Sequence, residues 1–534
     1  MINITKFKTE PFIIALKDFF KELNIPINYL ADEPANAATI LDDKYKPDND
    51  AHKLIDEVYA LGIVNNDAFK EKRLFEDEET FVDIKSIKKN IKKDYDGLLL
   101  FGVTLKSRAG DLLPTRGQLA EITRSFNRVF PYTPVTIIFK YDAYITFANS
   151  ERIPYKINKE GEKAGKVTML KDVFVEKPHA AHERILLELK INYEINTFDA
   201  LYKYWQKVLD TKELNKQFFQ ELANWYFWAT QKVTFPNDEE TNKDILNATS
   251  VIRLITRIMF VWFVKEKNLV SDDLFDKKKL EKILKFTDKN GSTYYKAILQ
   301  NLFFATLNTE MGKRKFRATT DNGRDAHFFI HNLFRYQNEF IKPDETLETY
   351  FANVPFLNGG LFECLDKEIE EDGKLKRIRI DGFSDRTDNV LTVPDELFFS
   401  DKEQIIDLST VYGTPKKSKE KVRGLIDILN NYKFTITENT PIEEEVALDP
   451  ELLGKVFENL LANYNPETQT TARKQTGSFY TPREIVNYMV DESLIAYLLP
   501  VITNSDNSGS SPLRRGGGEV IESDNDRSPS GVEV

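Results

Sequence analysis

Along the first 155 residues the spacing of apolar positions changes period several times. Lys8–Leu23 carries them at helical spacing. Gly97–Leu105, reading GLLLFGVTL, is a continuous apolar run of strand length. Gly117–Val129 returns to the helical period, with Leu119, Ile122, Phe126 and Val129 on one stripe. Pro134–Lys140 and Ala143–Asn149 read as two strands, and the Tyr141–Asp142 step between them is short enough for a hairpin. The pattern predicts an α/β domain over 1–155 with the order strand, helix, strand, strand.

From Ala180 to Phe340 the period is helical. Asp210 and Glu213 form a capping pair, and Leu214, Phe218, Leu222, Trp225 and Ala229 follow at helical spacing. Ala248–Lys267 places Leu254, Ile255, Ile258, Met259, Trp262 and Phe263 inward, and Leu280–Phe286 and Tyr294–Leu307 continue the series. Residues after 341 are mixed and loop-rich, with the charged segment Asp366–Arg379. The expected organisation is a mainly helical connector over 180–440 and a helical lead-in over 441–500. Residues 503–534 are rich in Gly, Ser, Asp and Arg, have too few apolar groups to form a core, and are expected to be disordered.

Composition narrows this picture. Hydrophobic residues make up 41% and charged residues 30%, the balance of a globular protein. The net charge of −11 argues mildly against nucleic acid, although screening leaves local basic stretches free to bind phosphate. Cys364 is the single cysteine, which excludes an internal disulfide and a cysteine zinc cluster and fits a reducing cytosol. The N-terminus lacks the apolar run of a signal peptide. The apolar run Ile258–Val264 falls far short of the roughly 20 residues that span a bilayer, so a buried core helix is expected. These features predict a cytoplasmic protein with no membrane partner.

The chemistry-bearing stretch is Thr476–Val490, TGSFYTPREIVNYMV. Thr481 suits an N-cap, Pro482 the first helical position, and Glu484 closes a capping box. Ile485, Val486, Met489 and Val490 then form an apolar stripe. Gly477 permits a tight turn, and Phe479 and Tyr480 set two aromatics beside a helix start, where a flat or anionic ligand could sit. The residues alone fit an ordinary capped helix equally well.

TGSFYTPREIV resembles the motif ahead of the cofactor-binding core in adenine-N6 DNA methyltransferases. Leu448–Leu461 (LDPELLGKVFENLL), Val354–Glu363 (VPFLNGGLFE) and Arg253–Leu269 (RLITRIMFVWFVKEKNL) resemble further patterns of type IIG restriction-modification enzymes, in the same order. The resemblance covers roughly residues 180–500. It implies that Thr476, Gly477, Phe479, Tyr480, Thr481 and Pro482 line part of an S-adenosylmethionine pocket. It also implies double-stranded DNA as a partner. The family's D-P-x-x-G-x-G and [N/D]-P-P-[Y/F] loops do not occur here. The Rossmann-like methyltransferase domain is thus only begun, and no catalytic residue is assigned. The expected role is an incomplete methyltransferase, not catalytic alone. The alternative is a non-enzymatic DNA-binding or assembly subunit beside a separately encoded methyltransferase or specificity chain.

In that family the N-terminal position is taken by a PD-(D/E)xK nuclease, which holds Mg²⁺ with acids on adjacent strands. Lys106 closes the Gly97–Leu105 strand, and Asp83, Asp94 and Asp96 lie upstream. Thr104 occupies the position of one metal-binding acid. The expectation is a degenerate nuclease-like or purely structural domain, with Mg²⁺ involved only if it cuts DNA. The pairs His327/His331 and His179/His182 read as packing or surface histidines rather than zinc ligands. Lys85–Lys93, Lys416–Arg423 and Arg116, Arg124 and Arg128 are candidate phosphate contacts, each weighed against a solvated face.

Overall fold

In the computed structural model, the description covers residues 2–70 apart from 31–32, 97–130 apart from 109 and 111, 133–154, 162–236, 242–286 and 291–318. It continues over 331–448 apart from 358, 372, 387–388, 401, 438 and 441–442, then 450, 452, 454 and 483–505. The chain divides into two compact units, Met1–Lys474 and Gln475–Val534.

The first unit is mixed α/β. Helix α1 (Phe12–Glu22) precedes the short β1 (Asn28–Tyr29) and the long β2 (Ile55–Asn65). Then come β3 (Gly97–Leu105), helix α2 (Arg116–Val129), β4 (Val135–Tyr141), β5 (Tyr144–Pro154) and β6 (Glu162–Phe174). They form a seven-stranded sheet in that order, closed at its far edge by Glu443–Glu445. β3 and β4 are parallel and joined through α2, whereas β1–β2, β2–β3, β4–β5 and β5–β6 are antiparallel. The expected order of strand, helix, strand, strand is present at Gly97–Pro154, and β2 and β6 flank it.

β3 is a continuous apolar run because both its faces are covered. A side chain at Gly102 would meet Leu16 Cδ1 at 2.3 Å and Phe12 Cε1 at 2.8 Å, which fixes how closely α1 lies on the sheet. On the opposite face Phe101 packs on Phe126 of α2 at 4.8 Å between ring centroids. Thr115 and Gln118 cap α2 reciprocally. The β4–β5 hairpin turns at Asp142, whose φ of 45° a short polar side chain tolerates.

The helical part is built on α3 (Thr211–Lys232), capped by Asp210, and α4 (Lys243–Glu266), capped by Asn242. α4 is long and apolar enough to cross a membrane by length and composition. Its Leu254, Ile255, Ile258, Met259 and Trp262 are buried in the aromatic core instead. Tyr294–Leu307 is a buried π-type helix. The helix expected at Leu280–Phe286 is Lys277–Leu280 only, because Leu284 leaves the helix to bridge Phe340. The charged segment after Asp366 forms a hairpin, Lys367–Glu371 with Lys374–Ile378, turning at Gly373 with φ 72°. One apolar cluster runs without a break from Ile4 under the sheet to Leu452 beyond the helices.

Glu443–Glu445 pairs parallel with Val167–Met169 of β6. Three consecutive acids can hold a sheet edge because each meets a partner. Glu443 lies 3.7 Å from Arg116, and Glu444 accepts from Lys166 at 2.8 Å and Thr211 at 2.9 Å. Glu445 accepts from Thr435 at 3.2 Å.

In the second unit the described residues form helix α5 (Arg483–Ser505). Thr503–Ser505 therefore belong to a helix rather than to the tail expected from 503, and 506–534 lie outside the described residues. The stripe Ile485, Val486, Met489 and Val490 is exposed, as are Tyr488, Leu494, Ile495, Tyr497, Leu498 and Leu499. These positions go round the helix instead of marking one face.

Candidate functional site

Thr476, Gly477, Phe479, Tyr480, Thr481 and Pro482 lie outside the described residues, as do Asp83, Asp94, Asp96, Lys85–Lys93 and His327. The anticipated helix is present from Arg483 on, and its expected cap and first turn at Thr481 and Pro482 lie outside the described residues.

The described candidate site is the end of the sheet where β3 finishes. Alternation along β3 puts Thr104 on the same face as Gly102, the face covered by α1. The Lys106 N–H donates to Leu54 O at 2.8 Å, so the ladder continues one step past β3 and keeps Lys106 in that alternation. Lys140 of β4 lies in register with Thr104 and sets its ammonium 5.6 Å over the Phe12 ring. On the other side Glu57 of β2 donates its N–H to Thr104 Oγ1 at 3.1 Å. The Glu57 carboxylate accepts from Tyr59 at 2.7 Å, and the Tyr59 ring meets Phe12 edge-on at 5.5 Å. Phe12 is thus the hub against which Gly102, Tyr59 and Lys140 are placed.

Electrostatically this patch is uneven. Burial, then Glu57, pushes the Tyr59 hydroxyl pKa up to about 12, so it stays a neutral donor. Burial lowers the Lys140 pKa. Neither Lys140 nor Lys106 has an ion pair among the described residues. Beside Thr104 lie the Glu57 backbone and Lys140, Asp56 and Glu33 add negative charge around Tyr59, and Asp142 accepts from Ser107 at the same sheet end. Gly97 opens β3 about 23 Å from Thr104 at the rise of an extended strand. Mg²⁺ takes hard oxygen ligands in an octahedron, and Thr104 itself offers a neutral hydroxyl with Lys140 in register beside it.

Glu57, Tyr59 and Lys140 escaped sequence reasoning. Glu57 is 47 positions from Thr104, and only strand pairing brings them together. The signal available in the sequence was Asp56–Glu57 at the start of an apolar stretch, which reads as a strand once β2 is recognised.

A second polar centre lies in the helical part. The Arg257 guanidinium donates to Asp381 at 2.8 Å and to the carbonyls of Leu361 and Glu363, both at 2.9 Å. It therefore ties together two of the segments that carry the family resemblance, Arg253–Leu269 and Val354–Glu363. Asp366 accepts backbone N–H groups from Ile380, Asp381, Gly382 and Phe383 at 2.6–3.0 Å. His331, Cys364 and Asp366 place potential ligand atoms within 4.8 Å of one another. The Asp366 carboxylate is already committed to four donors, and burial keeps the Cys364 thiol pKa well above its usual value. Asp366 anchors the loop Ile380–Phe383.

The remaining candidates are largely accounted for within the fold. Arg116 donates to Asn439 at 2.8 Å, and Arg128 pairs with Glu121 at 2.8 Å. In the Lys416–Arg423 stretch Lys417 pairs with Glu420, and Lys421 and Arg423 share Glu403. His179 caps the helix Ala180–Glu188, accepting from the Ala181 N–H at 3.1 Å. Burial lowers the pKa of His179 to about 4 and of His182 to about 3. Both are therefore neutral near pH 7.

No family model and no solved structure matches this chain. Over 264 residues it is 26% identical to a Methanocaldococcus jannaschii protein named "Putative type II restriction enzyme and methyltransferase RM.MjaORFECS2P". The match covers 48% of this chain and 15% of that relative. Part of the chain is thus a distant homologue of a protein named for restriction and methyl transfer.

Proposed function

We propose that this chain is a portion of a type IIG-like restriction-modification protein that acts on double-stranded DNA. The reaction of the whole is transfer of a methyl group from S-adenosylmethionine to the exocyclic amine of adenine. The observation that carries this reading is the match to a restriction enzyme and methyltransferase, joined to the TGSFYTP motif outside geometric description. Residues 1–174, with Glu443–Glu445 at their sheet edge, form a nuclease-derived module, the helical residues in between a connector, and the residues that follow the lead-in to a catalytic domain. The path from α1 through β2, β3 and α2 to a parallel β4 supports the nuclease-like ancestry. Thr104, a neutral hydroxyl with Lys140 in register beside it, argues against efficient Mg²⁺-dependent cleavage.

The loop Thr476–Pro482 forms one wall of the cofactor pocket. A single aromatic face contributes about 1–3 kcal/mol to stacking, whereas micromolar affinity needs about 8 kcal/mol. The chain alone therefore binds S-adenosylmethionine weakly and does not methylate DNA. The exposed apolar circumference of α5 supports a catalytic partner surface, which fits the second reading too: an assembly subunit beside a separately encoded methyltransferase chain.

Calorimetry with S-adenosylmethionine tests this directly. The chain alone is expected to show no micromolar binding. The chain joined to a portion carrying a D-P-x-x-G loop is expected to bind, and Phe479→Ala or Tyr480→Ala to weaken that binding. Micromolar binding by the short chain, or no loss in either variant, refutes the placement of the pocket.

A further inference from the structure

The extended segment Phe362–Asp366 alternates between core and solvent. Phe362, Cys364 and Asp366 are buried, whereas Glu363 and Leu365 are exposed. Cys364 and Asp366 therefore share one side, and half-buried His331 joins them from a distant part of the chain. An imidazole nitrogen, the Cys364 Sγ and a carboxylate oxygen lie within 4.8 Å of one another. Ligand atoms around a tetrahedral zinc ion are about 3.5 Å apart, so side-chain shifts of about an ångström close the set. Asp366 holds its loop mainly through Oδ1, which accepts from Ile380, Asp381 and Gly382. Its Oδ2 accepts one N–H, from Phe383 at 2.8 Å, and keeps a second acceptor direction. The charges facing the trio are the carboxylates of Asp366, Asp381 and Glu368 and the guanidinium groups of Arg257 and Arg335. Asp381 engages Arg257 at 2.8 Å and lies 4.0 Å from Arg253, and Arg335 lies over the Phe383 ring at 5.5 Å.

We propose that His331, Cys364 and Asp366 bind one zinc ion, with the fourth position taken by water. Nitrogen, sulfur and oxygen in one set suit zinc, whereas Mg²⁺ and Ca²⁺ take oxygen ligands. Cys364 gives up its thiol proton to solvent as the S–Zn bond forms, and no group changes oxidation state. The thiolate and the Asp366 carboxylate then carry two negative charges, which neutralise the ion where it is buried. The ion ties together three pieces of the connector: the chain that leaves Val354–Glu363, the loop Ile380–Phe383 that Asp366 holds, and the turn at His331. The single cysteine excludes a cluster of thiolates but not this mixed set, whose members only the fold brings together. The site is a structural one, separate from the readings that involve DNA and S-adenosylmethionine.

The test is a Co²⁺ titration of the full chain, free of any metal-binding tag and stripped with EDTA, followed by absorption spectroscopy. Cys364 is the single cysteine, so a thiolate-to-cobalt charge-transfer band can come from no other residue. The wild type is expected to develop that band to saturation at one equivalent of Co²⁺, and Zn²⁺ to abolish it. Cys364→Ala is expected to remove the band. His331→Ala is expected to weaken Co²⁺ binding by more than about tenfold. Zn²⁺ is expected to raise the thermal midpoint of the wild type and not that of His331→Ala. His331 is only half-buried, so its variant keeps the test open if Cys364→Ala fails to fold. No charge-transfer band in the wild type, or an unchanged band and affinity in His331→Ala, overturns the proposal. Zn²⁺ that binds without displacing Co²⁺ from the thiolate would place the metal on surface carboxylates and overturn it as well. None of these readouts involves methyl transfer or DNA, so failure here leaves the proposed function standing, and failure of that function leaves this site standing.

Discussion

The two polar centres of the first unit handle charge in opposite ways. At Arg257 a buried guanidinium meets Asp381 and two carbonyls, and Asp366 nearby receives four backbone N–H groups. At Thr104 the two lysines meet no carboxylate among the described residues. The first centre is internally satisfied, and its ion pair is the kind that holds a loop in place. The second sits at a sheet end, where Lys106 is exposed and burial disfavours the charge of Lys140. Saturation therefore distinguishes the two centres, although both are rich in ionisable groups.

The comparison breaks most visibly at Arg257. Arg257→Met leaves buried Asp381 with only the more distant Arg253, at 4.0 Å, and a loss of about 3 kcal/mol is expected from denaturant unfolding. Arg257→Met with Asp381→Asn is expected to recover part of it. An unchanged midpoint in the single variant would mean that the network is not needed for folding.

The next effect is set by pH. Burial lowers the pKa of His179 to about 4 and of His182 to about 3, whereas an unfolded histidine titrates near 6.5. The folded state takes up protons later than the unfolded one. Stability is therefore full above pH 6.5 and falls as pH drops through 6.5 toward 4 and 3, by about 1.4 kcal/mol per pH unit per histidine. His182→Leu is expected to make that slope shallower by about one proton, read from unfolding free energies across the range. A slope identical to wild type would show that His182 already takes up its proton in the folded state.

A smaller effect is expected at the sheet edge. Arg116→Ala removes the partner of Glu443 and Asn439 and should cost about 1–3 kcal/mol. Hydrogen exchange at Glu443–Glu445 should accelerate more than exchange in β3. Equal protection in both strands would show that Arg116 does not hold that edge. The smallest stability effect belongs to Lys140→Met, within about 1 kcal/mol, because the methionine keeps the contact with Phe12 and removes an unmatched charge. A large loss there would place Lys140 with Arg257 as a structural cation.

Much of the sheet centre was legible in the sequence. β3, β4 and α2 announce themselves because a strand covered on both faces is apolar throughout, and a helix lying on a sheet shows one stripe. β2 was missed because its register shifts between Ile55 and Val58 and between Ala60 and Gly62, which breaks the alternation. β6 was missed because its sequence starts with charged and small residues, EKAGK. The helix signal at Leu280–Phe286 failed because a tertiary bridge to Phe340 outweighed local propensity. At the site, Thr104 and Lys106 were identified through the nuclease pattern of the resembled family, whereas Glu57 and Lys140 arrive from neighbouring strands. No local pattern encodes that adjacency. The apolar stripe of α5 was legible as apolar but not as exposed, since periodicity reports which residues need cover and not whether cover is present.

The most direct test of the central claim is transfer of a labelled methyl group from S-adenosylmethionine to duplex DNA, followed by nucleoside analysis. The chain alone should transfer none. The chain combined with a catalytic portion carrying the D-P-x-x-G and [N/D]-P-P-[Y/F] loops should yield N6-methyladenine. N6-methyladenine from the chain alone, or none from a combination that binds both DNA and cofactor, would contradict the account.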